Sequence, residues 1–312
     1  MTSTLSALAP VFGLIIVGYG LKRRALFGDD FWEPAERLTF YFLFPALLVS
    51  SIGGAEMAGL KALPMAAAMI SATLVMAGVL MAAARRRKDD TQGPAFVSLL
   101  QGAIRPNTYV GLAAAYALFG NAGLALAAAA IVAVIPLVNF ISIIALLRWT
   151  GKAAGNHHGK PGWGGAFVAS LKNPIILACV LGALLNVTGL GLPPVVGPML
   201  DIFGSAALPL GLMAVGAGLD FGAVHERRAT ITRAVALKLA VMPGLTFAAC
   251  WANGVSGVPQ TVAVMFAALP VAASSYVMTR QLGGDGPLMA GIITATTIAA
   301  AVTLPVVLLL AG

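Results

Sequence analysis

The chain has 312 residues, of which 59% are hydrophobic and only 10% are charged, and its mean hydropathy is +0.94. This balance excludes an ordinary soluble domain and is typical of an integral membrane protein. The formal net charge of +8 does not indicate nucleic-acid binding, because the basic residues follow the connections between apolar segments instead of covering one surface helix.

Ten apolar segments are long enough to cross a bilayer, since a spanning helix needs roughly 20 mostly apolar residues. We therefore expect an all-α membrane protein with ten transmembrane helices. In chain order the predicted spans are 5–21, 34–53, 62–84, 94–119, 122–147, 165–189, 195–219, 230–252, 258–281 and 287–311.

An offset of 164 residues relates the two halves of the chain. It predicts two five-helix repeats, 1–149 and 165–312, joined by a short cytoplasmic linker at 150–164. His157 and His158 in this linker have no further metal-ligating side chains beside them, so neither a metal site nor a cofactor is predicted. The offset places Pro174, Gly182, Pro209 and Pro270 on Pro10, Gly18, Pro45 and Pro106.

The basic residues predict the orientation of the repeats. Fifteen of the 19 lie in or beside alternate connections, whereas the opposite connections hold only Lys61. By the positive-inside rule, both termini face outward from the cytoplasmic membrane. Because each repeat has five spans, the second repeat enters the membrane in the opposite sense, and the repeats are inverted. The fifteen are Lys22, Arg23, Arg24, Arg85, Arg86, Arg87, Lys88, Arg148, Lys152, Lys160, Lys172, Arg227, Arg228, Arg233 and Arg280.

The fourth predicted span contains a helix break near its middle. Arg105 and Pro106 are followed by Asn107 and Thr108. Proline removes a backbone donor and clashes with the preceding turn, so the helix is expected to stop there. Asn107 or Thr108 can then cap the second half-helix.

The ninth predicted span contains the matching break. Pro270 ends one half, and Ser274 or Ser275 can cap the next. Inversion brings the two breaks together, so that two helix N-termini and the charge of Arg105 point at one place. Neither broken span contains Asp or Glu, which argues against a cation site. A carboxylate substrate is expected to bind Arg105 and the amides that follow Pro106 and Pro270.

Four further polar residues lie within predicted spans. Asn139 and Tyr276 are candidates for lining the same site, the alternative being that each bonds a neighbouring helix. Lys238 either snorkels to the cytoplasmic face or compensates charge near the site. Asp201 is a weak candidate for proton coupling.

Seven stretches of the sequence together resemble the auxin efflux carrier family of membrane transporters, which includes bacterial members and the plant PIN auxin carriers. The resemblance covers nearly the whole chain, and the combination of motifs is specific. The stretches are YFLFPALLVSS, QGAIRPNTYVGLA, IPLVNFISIIAL, LKNPIILACVLGALLN, AALPLGLMAVGAGL, LKLAVMP and ALPVAASSYVMTRQ.

The resemblance implies an inverted five-plus-five fold with crossed broken helices 4 and 9, similar to bile-acid and sodium/proton antiporter-like carriers. Helices 1, 2, 6 and 7 would form a scaffold and homodimer surface, and helices 3–5 and 8–10 a moving transport domain. The family's substrate site carries over to Pro106, Asn107 and Thr108, with Pro270 at the second crossover. The linker is far too short for the plant carriers' regulatory loop, and bacterial relatives are linked to organic acids such as malate or malonate.

The sequence therefore predicts a secondary carrier that exports small carboxylates by elevator-type alternating access, with lipid and a second copy of the chain as its other partners. The alternative is an anion channel or a ligand-sensing membrane protein without active transport. An enzyme is not predicted, because no nucleophile, base and orienting group occur together. No Walker-type loop is present that would indicate ATP hydrolysis.

Overall fold

The computed structural model describes residues 2–54, 62–85, 93–149, 173–224, 227–281 and 284–311. The predicted linker at 150–164, with His157 and His158, and the start of the predicted sixth span lie outside these residues.

The described residues fold mainly into helices and contain no β-strand, which confirms the predicted all-α class. Two π-turns, Thr39–Leu43 and Leu237–Val241, and a 3-10 turn, Gly222–Val224, connect some of the α-helices. The α-helices are α1 Thr2–Arg23, α2 Asp29–Leu38, α3 Phe44–Gly53, α4 Ala62–Arg85, α5 Gly93–Ile104, α6 Thr108–Trp149, α7 Pro174–Thr188, α8 Val196–Ser205, α9 Ala207–Ala217, α10 Arg228–Ala236, α11 Met242–Ala252, α12 Val258–Ala267, α13 Ser274–Gln281 and α14 Gly286–Ala311.

In the described part of the chain, seven helical segments are long and apolar enough to cross a membrane. Three more apolar helices, α5, α7 and α12, have only 10–17 residues. Two of the three, α5 and α12, end where a predicted span is interrupted at a proline. The seven are Ser6–Arg23, Asp30–Gly53, Ala62–Arg85, Thr108–Ala145, Val196–Ala217, Arg228–Ala252 and Gly286–Ala311.

The predicted boundary between the fourth and fifth spans is a sharp kink within α6. Gly120 has φ 57° and ψ −142°, a conformation that residues with a Cβ rarely adopt. The chain folds back there, since a Cβ added to Gly123 would lie 2.2 Å from the carbonyl oxygen of Ala115.

Both π-turns are followed closely by a proline, Pro45 after the first and Pro243 after the second. The ring of a helical proline clashes with the carbonyl four residues earlier and leaves it without a donor. A widened π-turn accommodates that clash without ending the helix. The proline effect is therefore local, and α2 continues into α3 just as α10 continues into α11.

The chain packs as two compact units. Unit one comprises Met1–Ala62, Thr108–Val132 and Leu171–Leu219. Unit two comprises Leu63–Asn107, Ala133–Ser170 and Asp220–Gly312.

Glycines allow very close helix packing in unit one. A Cβ on Gly18 of α1 would lie 2.0 Å from the carbonyl oxygen of Met213 in α9, and one on Gly216 of α9 would lie 1.9 Å from that of Ile15. Apolar burial contributes little to helix association in lipid, so such close backbone contact provides much of the attraction.

The core of unit two joins α10 and α14 to the second break. Its buried residues include Ile231 and Ala234 from α10, Ile292 from α14, and Val271 between α12 and α13. Gly102 of α5 packs against the same helices, because a Cβ there would lie 2.8 Å from the Ile292 side chain. This packing holds the segments on which the candidate site is built.

Substitution of Gly18 by Val should destabilise unit one, since a side chain placed against backbone atoms forces α1 away from α9. We expect the apparent Tm of the detergent-purified protein to fall by roughly 5 °C or more. The matched control is Gly20→Val, because no described heavy atom lies within 4 Å of a Cβ at Gly20. Equal effects of the two substitutions on the Tm would contradict the close α1–α9 contact.

Candidate functional site

Two helix breaks meet inside unit two. The first separates α5 from Thr108 and contains Pro106, and the second separates α12 from α13 and contains Pro270. Pro106 and Val271 form an isolated antiparallel bridge, in which the backbone N–H of Asn107 donates to the carbonyl oxygen of Pro270 at 2.8 Å. The two interruptions are therefore hydrogen-bonded to each other.

The amides that follow the two prolines have partners inside the protein. Asn107 N–H donates to Pro270, and Val271 N–H donates to the hydroxyl oxygen of Thr296 in α14 at 3.2 Å. Both amides are thus paired within the protein, and their direct binding of substrate stays a prediction. The reason for the pairing is general, since a buried backbone donor without a partner is costly and is nearly always satisfied.

The first turn of α13 is capped by backbone carbonyls. Ser275 N–H donates to Ala272 at 3.0 Å, and Tyr276 N–H donates to Ala273 at 3.0 Å. The Ser275 hydroxyl is fully buried and has no hydrogen-bond partner among the described residues. The Ser275 hydroxyl is therefore a polar group at the second break that can still form a hydrogen bond with a ligand.

Arg105 is buried beside the start of α13, with only 6% of its surface exposed. Its Nη2 donates to the Ser274 hydroxyl at 3.4 Å and its Nη1 lies 3.2 Å from the sulfur of Met278, both weak contacts. Its Nε has no partner in the described ranges. The guanidinium thus retains most of its capacity to donate hydrogen bonds.

No carboxylate among the described residues forms a salt bridge with Arg105. The ion pair found in unit two joins Arg227 to Asp285 at 3.1 Å. The Arg105 charge lies close to the N-terminus of α13, where the helix dipole is also positive. Both charges favour an anion at this place, and a planar carboxylate matches the fork geometry of a guanidinium.

A stripe of polar side chains aligns α5 with α13. Ser98, Gln101 and Arg105 follow one another at spacings of three and four, which places them on one face of α5. Ser98 donates to the carbonyl oxygen of Asp285 at 3.0 Å, and the Gln101 amide donates to the Thr279 hydroxyl at 3.1 Å. These bonds fix the half-helix that presents Arg105.

The remaining predicted site residues are distributed over both units. Pro106, Asn107 and Pro270 are buried at the joined breaks, and Thr108 begins α6 and belongs to unit one. Ser274 is exposed, and half-buried Tyr276 lies under the guanidinium of Arg280 at 5.8 Å from its ring centre. Asn139 is half-buried in the part of α6 that belongs to unit two.

A small cavity in unit two adjoins the first break and has room for about one water molecule. Lys238 lines it and is only 1% exposed, so the expectation that this side chain snorkels to water is wrong. Asp201 is exposed on α8 in unit one. The cavity is lined by Met69, Thr73, Ile104, Pro106, Val134, Lys238, Met242, Thr246, Phe266 and Ala267.

Sequence reasoning missed Gln101, Thr279 and Thr296. The spacing of Ser98, Gln101 and Arg105 in an apolar segment was an available signal for the first of these. Nothing local marks Thr296, since threonines in membrane helices commonly bond their own backbone, as Thr296 also does to Ile292 at 2.8 Å.

The Gln101–Thr279 hydrogen bond can be tested by a double-mutant cycle. Thr279→Val leaves the buried Gln101 amide without an acceptor, so the free energy of unfolding should fall by about 1–3 kcal/mol. Adding Gln101→Leu should recover part of this loss, because removing both partners removes the unsatisfied group. Unfolding in a denaturing detergent measures the cycle, and strictly additive losses would contradict the pairing.

Comparison with known proteins identifies the family to which this chain belongs. A family model described as "Membrane transport protein" matches residues 3–160 and 165–308. A protein of Methanothermobacter thermautotrophicus described as an uncharacterized transporter is 24% identical over 306 residues, covering 98% of this chain and 97% of the relative. The chain belongs to this family of multi-pass membrane transporters, which is the auxin efflux carrier family predicted from the motifs.

Proposed function

We propose that this chain, as a membrane transport protein, is a secondary active transporter that exports small organic anions of the auxin or malate/malonate type. The observation that supports this proposal most strongly is Arg105, a buried cation beside two joined helix breaks with no carboxylate partner among the described residues. A positive charge inside a membrane protein is costly unless it faces water, a partner or a ligand.

The chemistry at Arg105 favours a carboxylate on an organic molecule. The guanidinium and the start of α13 attract negative charge, and the Ser274 and Ser275 hydroxyls can donate to carboxylate oxygens. The Met278 thioether at 3.2 Å from the guanidinium offers an apolar and adaptable contact for a hydrocarbon group. Asn107, Asn139 and Tyr276, with Pro106 and Pro270, are the further residues of the proposed site in unit two.

The proposed transport mechanism is elevator-type alternating access. Ten spans form two inverted repeats whose broken fourth and ninth helices cross, both termini face outward from the cell membrane, and the protein is a homodimer. The proposed scaffold helices 1, 2, 6 and 7 lie in unit one, which also contains Thr108–Val132 from the predicted fourth and fifth spans, and the rest of the proposed moving domain lies in unit two. The 164-residue offset between the prolines supports the two repeats.

Loss of the Arg105 charge should remove most of the substrate affinity. We expect Arg105→Gln to weaken binding of the best carboxylate by about 10- to 100-fold, because hydrogen bonds to a charged group contribute about 1.5–3 kcal/mol. A thermal-shift screen of mono- and dicarboxylates identifies that ligand, since binding to the folded state raises its stability. Arg228→Gln, which removes an exposed arginine of α10, is the matched control. Unchanged affinity in Arg105→Gln would refute the site.

Counterflow in proteoliposomes distinguishes a carrier from the alternative channel or sensor. Vesicles loaded with unlabelled substrate should transiently accumulate labelled substrate, because a carrier exchanges one molecule for another at a saturable site. A pore would instead give conductance that does not saturate, and a sensor would give no flux. Either of these results would contradict the proposed transport mechanism.

A further inference from the structure

Lys238, like Arg105, is a buried basic residue in the described part of unit two. It lies in the π-turn Leu237–Val241 and is 1% exposed, and its side chain lines the cavity next to Pro106. Within the described residues, its amino group takes part in no hydrogen bond or salt bridge. A lysine in this position is unusual, because an ammonium without partners is strongly disfavoured away from water.

The cavity provides acceptors for this amino group. Thr73 and Thr246 line it, and the hydroxyl of each donates its proton to a helix carbonyl, Thr73 to Met69 at 2.8 Å and Thr246 to Met242 at 2.9 Å. Their oxygen lone pairs therefore remain able to accept a hydrogen bond from Lys238 or from a water. The space suits about one water molecule and is too small for an organic carboxylate.

No carboxylate lies on the helices around Lys238. The π-turn packs against α5, α10, α11 and α14, and α4, α6 and α12 contribute further cavity residues. None of these helices contains Asp or Glu. The ionisable residues that they do contain are Arg85 on α4, Tyr109, Tyr116 and Arg148 on α6, Arg228 and Arg233 on α10, and Cys250 on α11.

We propose that the Lys238 amino group is the proton-binding site that couples this carrier to protons. The inference rests on the proposed function. When an organic anion binds at Arg105, the neutral amine takes one proton from a hydronium ion that reaches the cavity from the solution, so that a neutral water remains and the amine becomes an ammonium. When the anion leaves, the ammonium returns that proton, so one N–H bond forms and breaks in each cycle.

The proposed coupling between anion binding and protonation of Lys238 follows from the positive charges at Arg105 and at a protonated Lys238. Pro106 lines the Lys238 cavity and directly follows Arg105, so both cations adjoin the same short segment. Without a bound anion, an ammonium at Lys238 would add to the charge of Arg105 in a region of low dielectric. A bound carboxylate offsets that charge and favours the protonated lysine, and by reciprocity the protonated lysine favours the carboxylate.

The consequence is cotransport of one proton with one negative charge. The loaded unit carries anion and proton together, whereas the empty unit returns with a neutral lysine. Binding of the anion should weaken as the pH rises and Lys238 loses its proton. Transport of a monocarboxylate should therefore be electroneutral, and export should run down an outward substrate gradient with one proton leaving together with each anion.

Isotope-edited NMR of the full-length protein tests the lysine directly. The chain has seven lysines, and the signal of Lys238 is the one that disappears in Lys238→Met. At a fixed pH, we expect it to shift towards the ammonium when malonate or indole-3-acetate is added, because a nearby negative charge favours the protonated amine. A signal that neither anion shifts would overturn the proposal.

Proteoliposomes that contain a pH dye test the coupling. In the wild type and in the control Arg233→Met, an exposed position on α10, anion uptake should acidify the lumen. Lys238→Met should move the anion without protons and should respond to membrane potential. Lys238→Arg, with its permanent charge, should lose the roughly tenfold or larger fall in affinity with rising pH that we expect of the wild type.

The two experiments separate this proposal from the proposed function. If counterflow is observed but Lys238→Met still moves protons together with the anion, the proposed role of Lys238 is refuted. The proposal that the protein is a carrier then still stands. Absence of both counterflow and carboxylate binding in the wild type would refute both proposals. If Lys238→Met does not fold, the NMR titration of the wild type is still possible. The Lys238 signal is then assigned as the one that disappears in Lys238→Arg.

Discussion

The backbone hydrogen bond from Asn107 to Pro270, 2.8 Å long, is the contact on which the candidate site depends. It joins two interruptions that would each expose unpaired peptide groups in a membrane, where a lost hydrogen bond has no replacement from water. Thr296 satisfies the neighbouring amide of Val271. Once these main-chain groups are paired, the charge of Arg105 remains the uncompensated feature of this segment among the described residues.

This arrangement explains why a carboxylate is a better ligand for the site than a cation. Among the described residues of unit two, Arg105 and Lys238 are buried basic side chains, and no described carboxylate is paired with either. An anion therefore improves the electrostatics of the whole unit, whereas a cation would worsen them. The hydrogen bonds of Ser98 and Gln101 fix the half-helix that leads to Arg105 before any ligand arrives, so little of the binding free energy is spent on ordering this backbone segment.

Sequence patterns predicted the features that depend on local chemistry. The all-helical class, the family and the interruptions at Pro106 and Pro270 follow from composition, motifs and the steric effect of proline. Partners that are distant in the chain were not predictable, because Thr296 is one of many small polar residues in apolar helices. The sequence left two roles open for Lys238, snorkelling or charge compensation, because hydropathy does not show which face of a helix is buried, and its exposure of only 1% argues against snorkelling.

The central claim is that the Arg105 guanidinium binds the substrate carboxylate. Solid-state NMR can measure this contact directly, as the dipolar coupling between a ¹³C-carboxylate ligand and ¹⁵N-labelled arginine side chains in membranes. The account predicts a carbon–nitrogen distance of about 4 Å that is present in the wild type and lost in Arg105→Lys, whose ammonium is not labelled. A bound carboxylate that shows no such coupling to any arginine, or that keeps it in Arg105→Lys, would contradict the account.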